Sequence, residues 1–262
     1  MKTTIYYFTG TGNSLSIAKG IAAELEDCEL IFMANLRKQD EITATSEKVG
    51  FIFPMFFFGL PQIVHEFMEK INLDKVQYIF AGVNRHGTMD GVAFLQINNI
   101  LSVKRKELNA GWFIQLPNSY IYGHEPDPEE EINQMLTQLK NQVKNIAKYI
   151  KEGKNSPPPP PKKRTSSIER TNNNFREGVF KMDDLFYSDE SCTSCGICES
   201  ICPVNNIVLV DGKPQWQQNC QQCFACLNYC PEESIQYGDK TQGRGRYQNP
   251  EITIQEMMNH IA

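Results

Sequence analysis

The sequence predicts an α/β protein, with a doubly wound domain built on a parallel five-stranded sheet and then a small α+β domain. Over residues 1–152, apolar stretches alternate with amphipathic helical stretches, which is typical of a parallel sheet covered by helices. Two copies of one cysteine pattern follow within residues 183–238. A run of five prolines at 157–161 separates the two regions, as expected of an extended spacer.

The elements of the first domain follow from hydrophobic periodicity. The apolar run at 49–54 is typical of a strand buried on both faces. In the last helix, which begins near Asp127, apolar residues recur every three or four positions from Ile132 to Ile150. We predict a first helix at 14–25 and strands at 4–8, 30–33, 49–54, 76–83 and 112–116.

The proline run also sets the predicted domain boundaries. Residues 1–152 form the first domain, and 153–182 form a Pro-rich linker with a short helix. Residues 183–238 form the second domain, in which a shift of 28 positions superimposes one cysteine run on the other. Residues 239–262 form a tail, which is too polar for a core element and is expected to return to the first domain.

The cysteine runs predict two iron–sulfur clusters. Each reads C-x2-C-x2-C-x3-C-P, the bacterial ferredoxin spacing for [4Fe–4S] clusters. Structural zinc and disulfides are the alternatives, but three cysteines in step before Cys-Pro are not a zinc pattern. Because the fourth cysteine of each run ligates the other cluster, the runs define two sets. Site I comprises Cys192, Cys195, Cys198 and Cys230, and site II comprises Cys202, Cys220, Cys223 and Cys226.

Composition and charge narrow the function classes. The formal charge is −5, and two bound clusters would bring it to roughly −9. An acidic body does not suit nucleic acid, whereas it suits the basic patch of a redox protein partner. Nine cysteines and an N-terminus without a secretory signal predict a cytoplasmic protein. We predict no transmembrane segment, because prolines and a glycine break the apolar stretch 49–68. The oligomeric state is not specified, and a homodimer is compatible with the sequence.

A turn after the first strand predicts a second cofactor. This TGTGNS turn comprises Thr9, Gly10, Thr11, Gly12, Asn13 and Ser14, and it leads into a helix N-terminus, where backbone N–H groups favour an anion. It contains no Lys or Arg and fits neither the P-loop nor the dinucleotide fingerprint. A neutral, hydroxyl-rich turn is typical of an FMN phosphate site. The alternative is an ordinary Gly/Thr turn with a serine cap.

Three further loops are expected at the same edge of the sheet. In the flavodoxin-like strand order, FMN lies at the switch point between the first and third strands. Aromatic residues after the third strand would lie against the flavin ring, or else would fill the core. The candidate residues are Pro54, Met55, Phe56, Phe57, Phe58 and Gly59, then Asn84, Arg85, His86 and Gly87, and finally Asn118 and Tyr120.

At this point the chain resembles fusions of a flavodoxin-like domain with a two-cluster bacterial ferredoxin. The resemblance rests on seven segments: TGTGNS at 9–14, FPMFFFGLP at 53–61, LPNSY at 116–120, CTSCGICESICPVNNI at 192–207, DGKPQW at 211–216, CQQCFACLNYCP at 220–231 and GRGRY at 243–247. The resemblance covers nearly the whole sequence. It implies FMN, two [4Fe–4S] clusters and electron transfer in anaerobic metabolism, and it implies no particular substrate.

Three functions compete. The first is electron transfer between one-electron low-potential carriers and FMN through the clusters. The second is a flavin-dependent reductase of a quinone or nitro compound, which an open cavity over the flavin would favour. The third is a redox or iron sensor, although neither a helix-turn-helix pattern nor a basic face supports it. No catalytic residue set is predicted.

Overall fold

The computed structural model describes residues 2–88, 91–160 and 165–259. Its strands are β1 (Thr3–Tyr7), β2 (Cys28–Phe32), β3 (Ile42–Thr43), β4 (Lys48–Pro54), β5 (Ile71–Asn72), β6 (Tyr78–Arg85), β7 (Ala110–Gln115), β8 (Phe186–Ser188), β9 (Ile207–Val210), β10 (Lys213–Trp216) and β11 (Ile235–Tyr237). Its helices are α1 (Asn13–Glu24), α2 (Gln62–Lys70), α3 (Ala93–Val103), α4 (Glu129–Glu152), α5 (Thr165–Gly178), α6 (Ile197–Ser200), α7 (Ala225–Asn228) and α8 (Ile254–Asn259). Short 3₁₀ helices occupy Met33–Leu36 and Val179–Leu185.

The central sheet confirms the predicted fold class. Its strand order is β2-β1-β4-β6-β7, and every neighbouring pair is parallel. Counting only these five strands, the order is the 2-1-3-4-5 arrangement of flavodoxin-like folds. Each predicted strand end lies within two residues of the observed one. The pair β3 and β5, which forms a separate two-stranded parallel sheet, was not predicted.

Helices cover this sheet, as its sequence pattern requires. Helix α1 contacts α4, and α2 contacts α3. Strand β4 is buried along six of its seven residues, which explains its continuous apolar run. Tyr6 and Phe51 pack their rings against Phe67 of α2. Within the described part of the chain, no helix combines the length and apolar character needed to cross a membrane.

The second domain repeats one small unit. Helix α7 follows α6 at a shift of 28 residues, and β11 follows β9 at the same shift. Strands β8 and β11 pair antiparallel, as do β9 and β10. Left-handed backbone recurs at the same interval, at Ser194 and Gln222 and at Asn205 and Glu233. The repeat in the sequence is therefore a repeat of backbone conformation.

Two segments differ from their sequence expectations. The helix expected in the linker is α5, which has 14 residues, and its Phe175 is buried. The tail does return to the first domain, but the expectation that it is too polar for a core was wrong, because Ile252 and Met257 join the main hydrophobic core. Ion pairs of Lys19 with Glu256 and of Lys140 with Glu251 flank this contact.

Candidate cofactor sites

A pocket of about 400 Å³ opens where β4, β6 and β7 end. We call it the edge pocket. The second domain supplies one of its walls. The structure brings ten of the predicted flavin-site residues to this pocket: Pro54, Met55, Phe56, Phe57, Phe58, Asn84, Arg85, His86, Asn118 and Tyr120. Gly59, Gly87 and the TGTGNS turn lie outside its lining.

The aromatic loop after β4 is held in an unusual backbone conformation. Phe57 and Phe58 have φ angles of 43° and 67°, in the region that non-glycine residues rarely adopt. The Phe57 ring stacks on Phe175 of α5, with centroids 4.2 Å apart, and meets Tyr120 edge to face at 6.0 Å. The aromatic residues of this loop, together with Phe175 and Tyr120, therefore line the pocket.

A buried asparagine on α5 fixes this loop. The side chain of Asn172 donates to the carbonyl oxygens of Phe56 at 2.8 Å and Leu60 at 3.2 Å. Its own oxygen accepts a hydrogen bond from Gln96 of α3 at 2.8 Å. Because Asn172 is fully buried, these bonds offset the cost of burying its amide. The linker helix is therefore part of the pocket's framework.

The polar side of the pocket contains an unsatisfied donor. The Nδ2 atom of Asn118 is buried and has no hydrogen-bond partner among the described residues. The backbone N–H of Asn118 donates to Asp127 at 2.7 Å, and Asp127 also contacts His86 at 2.9 Å. Arg85 lies over the ring of Phe113 at 4.2 Å. No Asp or Glu of the described chain lines the pocket, and Arg85 brings a positive charge to its lining, whereas Asp127 contacts Asn118 and His86 from outside the lining.

The TGTGNS turn lies beside the pocket and is bonded to its walls. Gly12, with φ 93°, precedes α1, and its N–H donates to the Thr9 hydroxyl at 3.0 Å. The Ser14 hydroxyl donates to Asn84 Oδ1 at 2.5 Å. The Asn13 amide donates to the carbonyl oxygen of Pro117 at 3.1 Å. These bonds link the turn to residues of two pocket loops.

The tail covers the TGTGNS turn. Tyr247 donates its hydroxyl to Asn13 Oδ1 at 2.7 Å, and Asn249 donates its amide to the same oxygen at 3.0 Å. The backbone N–H of Asn249 donates to the carbonyl oxygen of Thr11 at 2.9 Å. The side chains of the turn are consequently buried.

Two smaller cavities in the second domain collect the cysteines in the predicted sets. One is lined by all four cysteines of site I and the other by all four of site II. In the described residues, no three His, Cys, Asp or Glu side chains converge closely enough to hold a single metal ion. The two sites differ in exposure, because Cys195 of site I is exposed whereas Cys202, Cys220 and Cys226 of site II are buried.

Hydrogen bonds and burial tune these thiols. The N–H of Asn206 donates to Cys202 Sγ at 3.2 Å, and that of Gln222 donates to Cys220 Sγ at 3.1 Å. Burial raises the pKa of Cys223 to about 12. Metal ligation requires the thiolate, so iron that binds here must displace protons that the buried thiols otherwise hold tightly.

The second domain meets the edge pocket at one place. Cys223 and Phe224 line both the site II cavity and the edge pocket. The same loop rests on the TGTGNS turn, since a Cβ added at Gly10 would overlap the carbonyl oxygen of Cys223. The sequence did not predict this junction. Pro117 and Ser119 lie in the third predicted loop, beside Asn118 and Tyr120, whereas His124, Phe175 and Gln222 were not predicted to line the site. Among the residues that were not predicted, only Gln222 and Phe224 carried a signal, because both lie inside a cysteine motif.

With the fold and the cysteine sets described, comparisons with known proteins define the class of the second domain. Residues 184–249 match the 4Fe-4S dicluster domain family. This part of the chain is an iron–sulfur domain, and its role is electron transfer. No curated protein sequence matches the chain.

Solved structures resemble the chain only distantly. A putative flavoprotein from Bacteroides uniformis ATCC 8492 shares 14% identity with a TM-score of 0.39, covering 56% of this chain and 97% of its own. The Trp repressor binding protein from Bacillus subtilis shares 11% identity with a TM-score of 0.33, covering 55% and 97%. Likeness at this level adds no argument to the strand order of the sheet.

Proposed function

We propose that the protein exchanges electrons between a low-potential one-electron carrier and FMN, through [4Fe–4S] clusters at site I and site II. The observation that carries this proposal is the position of Cys223, which lines both the site II cavity and the edge pocket. A ligand at that position connects the iron of site II to the contents of the pocket through a single residue. Short separation of this kind suits direct electron transfer within one molecule.

The edge pocket suits FMN in size and chemistry. Its volume falls in the range of roughly 300–1,000 Å³ that is usual for cofactor sites. Phe57, Tyr120 and Phe175 offer ring faces to a planar heterocycle. The Nδ2 atom of Asn118, which has no partner among the described residues, can donate to a ring oxygen or nitrogen of the flavin. Arg85 brings a positive charge toward an electron-rich ring. We assign the phosphate to the TGTGNS turn, at the start of α1.

The two cluster sites and the flavin would then form a series of redox centres. When bound, FMN accepts one or two electrons, whereas each cluster passes one. The exposed Cys195 places site I toward an external redox partner. The buried thiols of site II keep its iron away from water, and Cys223 faces the pocket. Electrons would therefore pass between partner, site I, site II and flavin, in either direction.

The decisive experiment is an anaerobic preparation analysed for iron, sulfide and flavin and titrated with reductant, while absorbance and electron spin resonance are recorded. The proposal predicts about eight irons and one FMN per chain. Cys192→Ser should remove the site I signal and Cys220→Ser the site II signal, with FMN retained in both. Cys28→Ser, in half-buried strand β2, is the matched control and should lose neither. Eight irons without flavin would refute the flavin assignment.

The phosphate assignment has its own test. Thr11→Ala and Ser14→Ala should weaken FMN binding and leave the iron content unchanged. Unchanged FMN affinity in both variants would show that the phosphate lies elsewhere, such as beside Arg85 and His86. A thermal or chemical unfolding measurement on each variant separates lost FMN contacts from lost stability.

A flavin-dependent reductase is the second candidate, and one observation favours it. The edge pocket opens to solvent past the exposed His124, so a small acceptor has a route to the flavin. Anaerobically reduced protein should then pass electrons to a quinone or a nitroaromatic compound with a rate that saturates in acceptor. A linear dependence on acceptor concentration, equal to that of free FMN, would argue for the carrier alone.

A further inference from the structure

The two cysteine runs differ at one position, where the second run has a bulky side chain on left-handed backbone. Each run requires left-handed backbone directly after its second cysteine. Gly196 meets this requirement in the first run, with φ 79° and ψ −1°. In the second run the equivalent residue is Phe224, with φ 57° and ψ 18°. Since left-handed backbone is unfavourable for a side chain with a Cβ, a glycine here would be the unstrained choice.

The Phe224 ring occupies a place that explains the exception. It is buried, and it packs against Tyr120, Phe186 and Tyr237, with ring centroids 5.1–5.6 Å away. Two residues line both the site II cavity and the edge pocket, Cys223 and Phe224. The Phe224 ring packs on Tyr120, which lines the edge pocket, and on Phe186, which lines the site II cavity, so the ring lies between the two spaces.

The equivalent residue of the first run, Gly196, has different surroundings. Gly196 lines the site I cavity beside the exposed Cys195, and it lines neither the edge pocket nor the site II cavity. A glycine there does not lie between a cluster site and the edge pocket. The difference between the two runs therefore follows the difference in what lies behind each cluster site.

We propose that Phe224 is a positioning residue that separates site II from the edge pocket. Its ring keeps small molecules and water in the pocket from reaching the iron, while Cys223 remains the contact through which electrons cross. The left-handed strain at residue 224 is the cost of placing a ring at this point. This inference rests on the proposed function, because it assumes iron at site II.

The test uses the holoprotein with its iron and flavin contents measured first. Dithionite-reduced protein is mixed anaerobically with 1,10-phenanthroline, a small Fe²⁺ chelator, and cluster bleaching is followed by absorbance and spin resonance. We expect a fast phase from exposed site I and a slow phase from buried site II. Phe224→Gly, which suits left-handed backbone, should accelerate the slow phase by about tenfold. The fast phase should not change.

Two further variants make the result specific. Phe224→Leu keeps an apolar side chain in the wall and should bleach nearly as slowly as the wild type. Tyr122→Leu removes a ring that packs on Tyr120 and Tyr237, and this ring lines neither the edge pocket nor the site II cavity. It should leave the slow phase unchanged.

The outcomes separate the two proposals. A wild-type protein without iron at site II or without flavin overturns the proposed function. Full contents together with an unchanged slow phase in Phe224→Gly overturn the role of Phe224 alone. Equal acceleration in Tyr122→Leu also overturns it, because general loosening would then be the cause. If Phe224→Gly fails to assemble site II, Phe224→Asn serves instead, since asparagine tolerates left-handed backbone. Iron loss in both variants would show that the ring is needed for assembly rather than separation.

Discussion

Gly10 offers a direct test of the contact between the two halves of the molecule. In Gly10→Ala the new Cβ would lie 3.0 Å from the Cβ of Cys223 and 3.1 Å from its carbonyl carbon, and it would overlap the carbonyl oxygen. The backbone φ at this position is not left-handed, so the change adds a clash without dihedral strain. Because the clashing atoms are backbone, the site II loop must move by roughly 1 Å, and overpacking of this kind costs about 1–3 kcal/mol.

The assay combines stability with spectroscopy. For a chain of this size, that cost corresponds to a fall in unfolding temperature of roughly 2–12 °C. The spin-resonance signal of site II should change in Gly10→Ala, whereas that of site I should remain. The matched control is Gly178→Ala, where an added Cβ has no neighbour within 4 Å. This control should be neutral, or more stable by up to about 1 kcal/mol.

The contact would be refuted by one clear result. If Gly10→Ala unfolds at the same temperature as Gly178→Ala and keeps an unchanged site II signal, then Cys223 does not rest on the TGTGNS turn. A loss of stability with both cluster signals unchanged would show that the turn matters for folding but does not affect site II.

Three further predictions test other contacts. Tyr247→Phe removes the 2.7 Å hydrogen bond to the TGTGNS turn, so unfolding should become easier by about 1 kcal/mol and FMN release should be faster, measured by flavin fluorescence, with iron unchanged. Ser234→Ala removes a hydroxyl 3.2 Å from Cys230 Sγ, which should lower the site I reduction potential in a spin-resonance titration, because hydrogen bonds to sulfur favour the reduced cluster; an unchanged potential would exclude that bond. The ion pair with Lys19, followed by hydrogen bonds from Thr253, lowers the pKa of Glu256 from 4.5 to about 2. Its stabilisation is therefore present above pH 4.5 and is lost as pH falls toward 2. Release of the tail by pepsin should therefore rise over that window, and this pH dependence should be weaker in Glu256→Gln than in the wild type.

Features with a local cause could be predicted from the sequence. Strand β4 could be predicted because a strand that is buried on both faces has a continuous apolar sequence. The cysteine sets could be predicted because the ligation of a [4Fe–4S] cluster requires a particular spacing of cysteines. The ten pocket residues that were predicted lie at strand ends or in the loops that follow them, and the parallel topology places these loops at one edge of the sheet.

Features with a tertiary cause could not be predicted in this way. Tyr247 and Asn249 lie in a polar stretch, and both are buried where they bond Asn13, more than 230 positions away in the chain. Phe175 lies among polar residues of a linker, and its role comes from ring contacts with Phe56 and Phe57 of the first domain. Phe224 is different, because alignment of the two cysteine runs sets it against Gly196, and this mismatch can be read from the sequence.

The tail that covers the TGTGNS turn is synthesised long after the turn itself. Tyr247 and Asn13 are 234 positions apart in the chain, so at ordinary rates of synthesis the turn waits roughly 10–50 s for its cover. Throughout that interval Asn13 has neither of its tail partners, and the turn stands open to solvent. The tail, made after the cysteine runs, then closes over it. The order of synthesis thus leaves the TGTGNS turn accessible to the proposed FMN before the tail covers it.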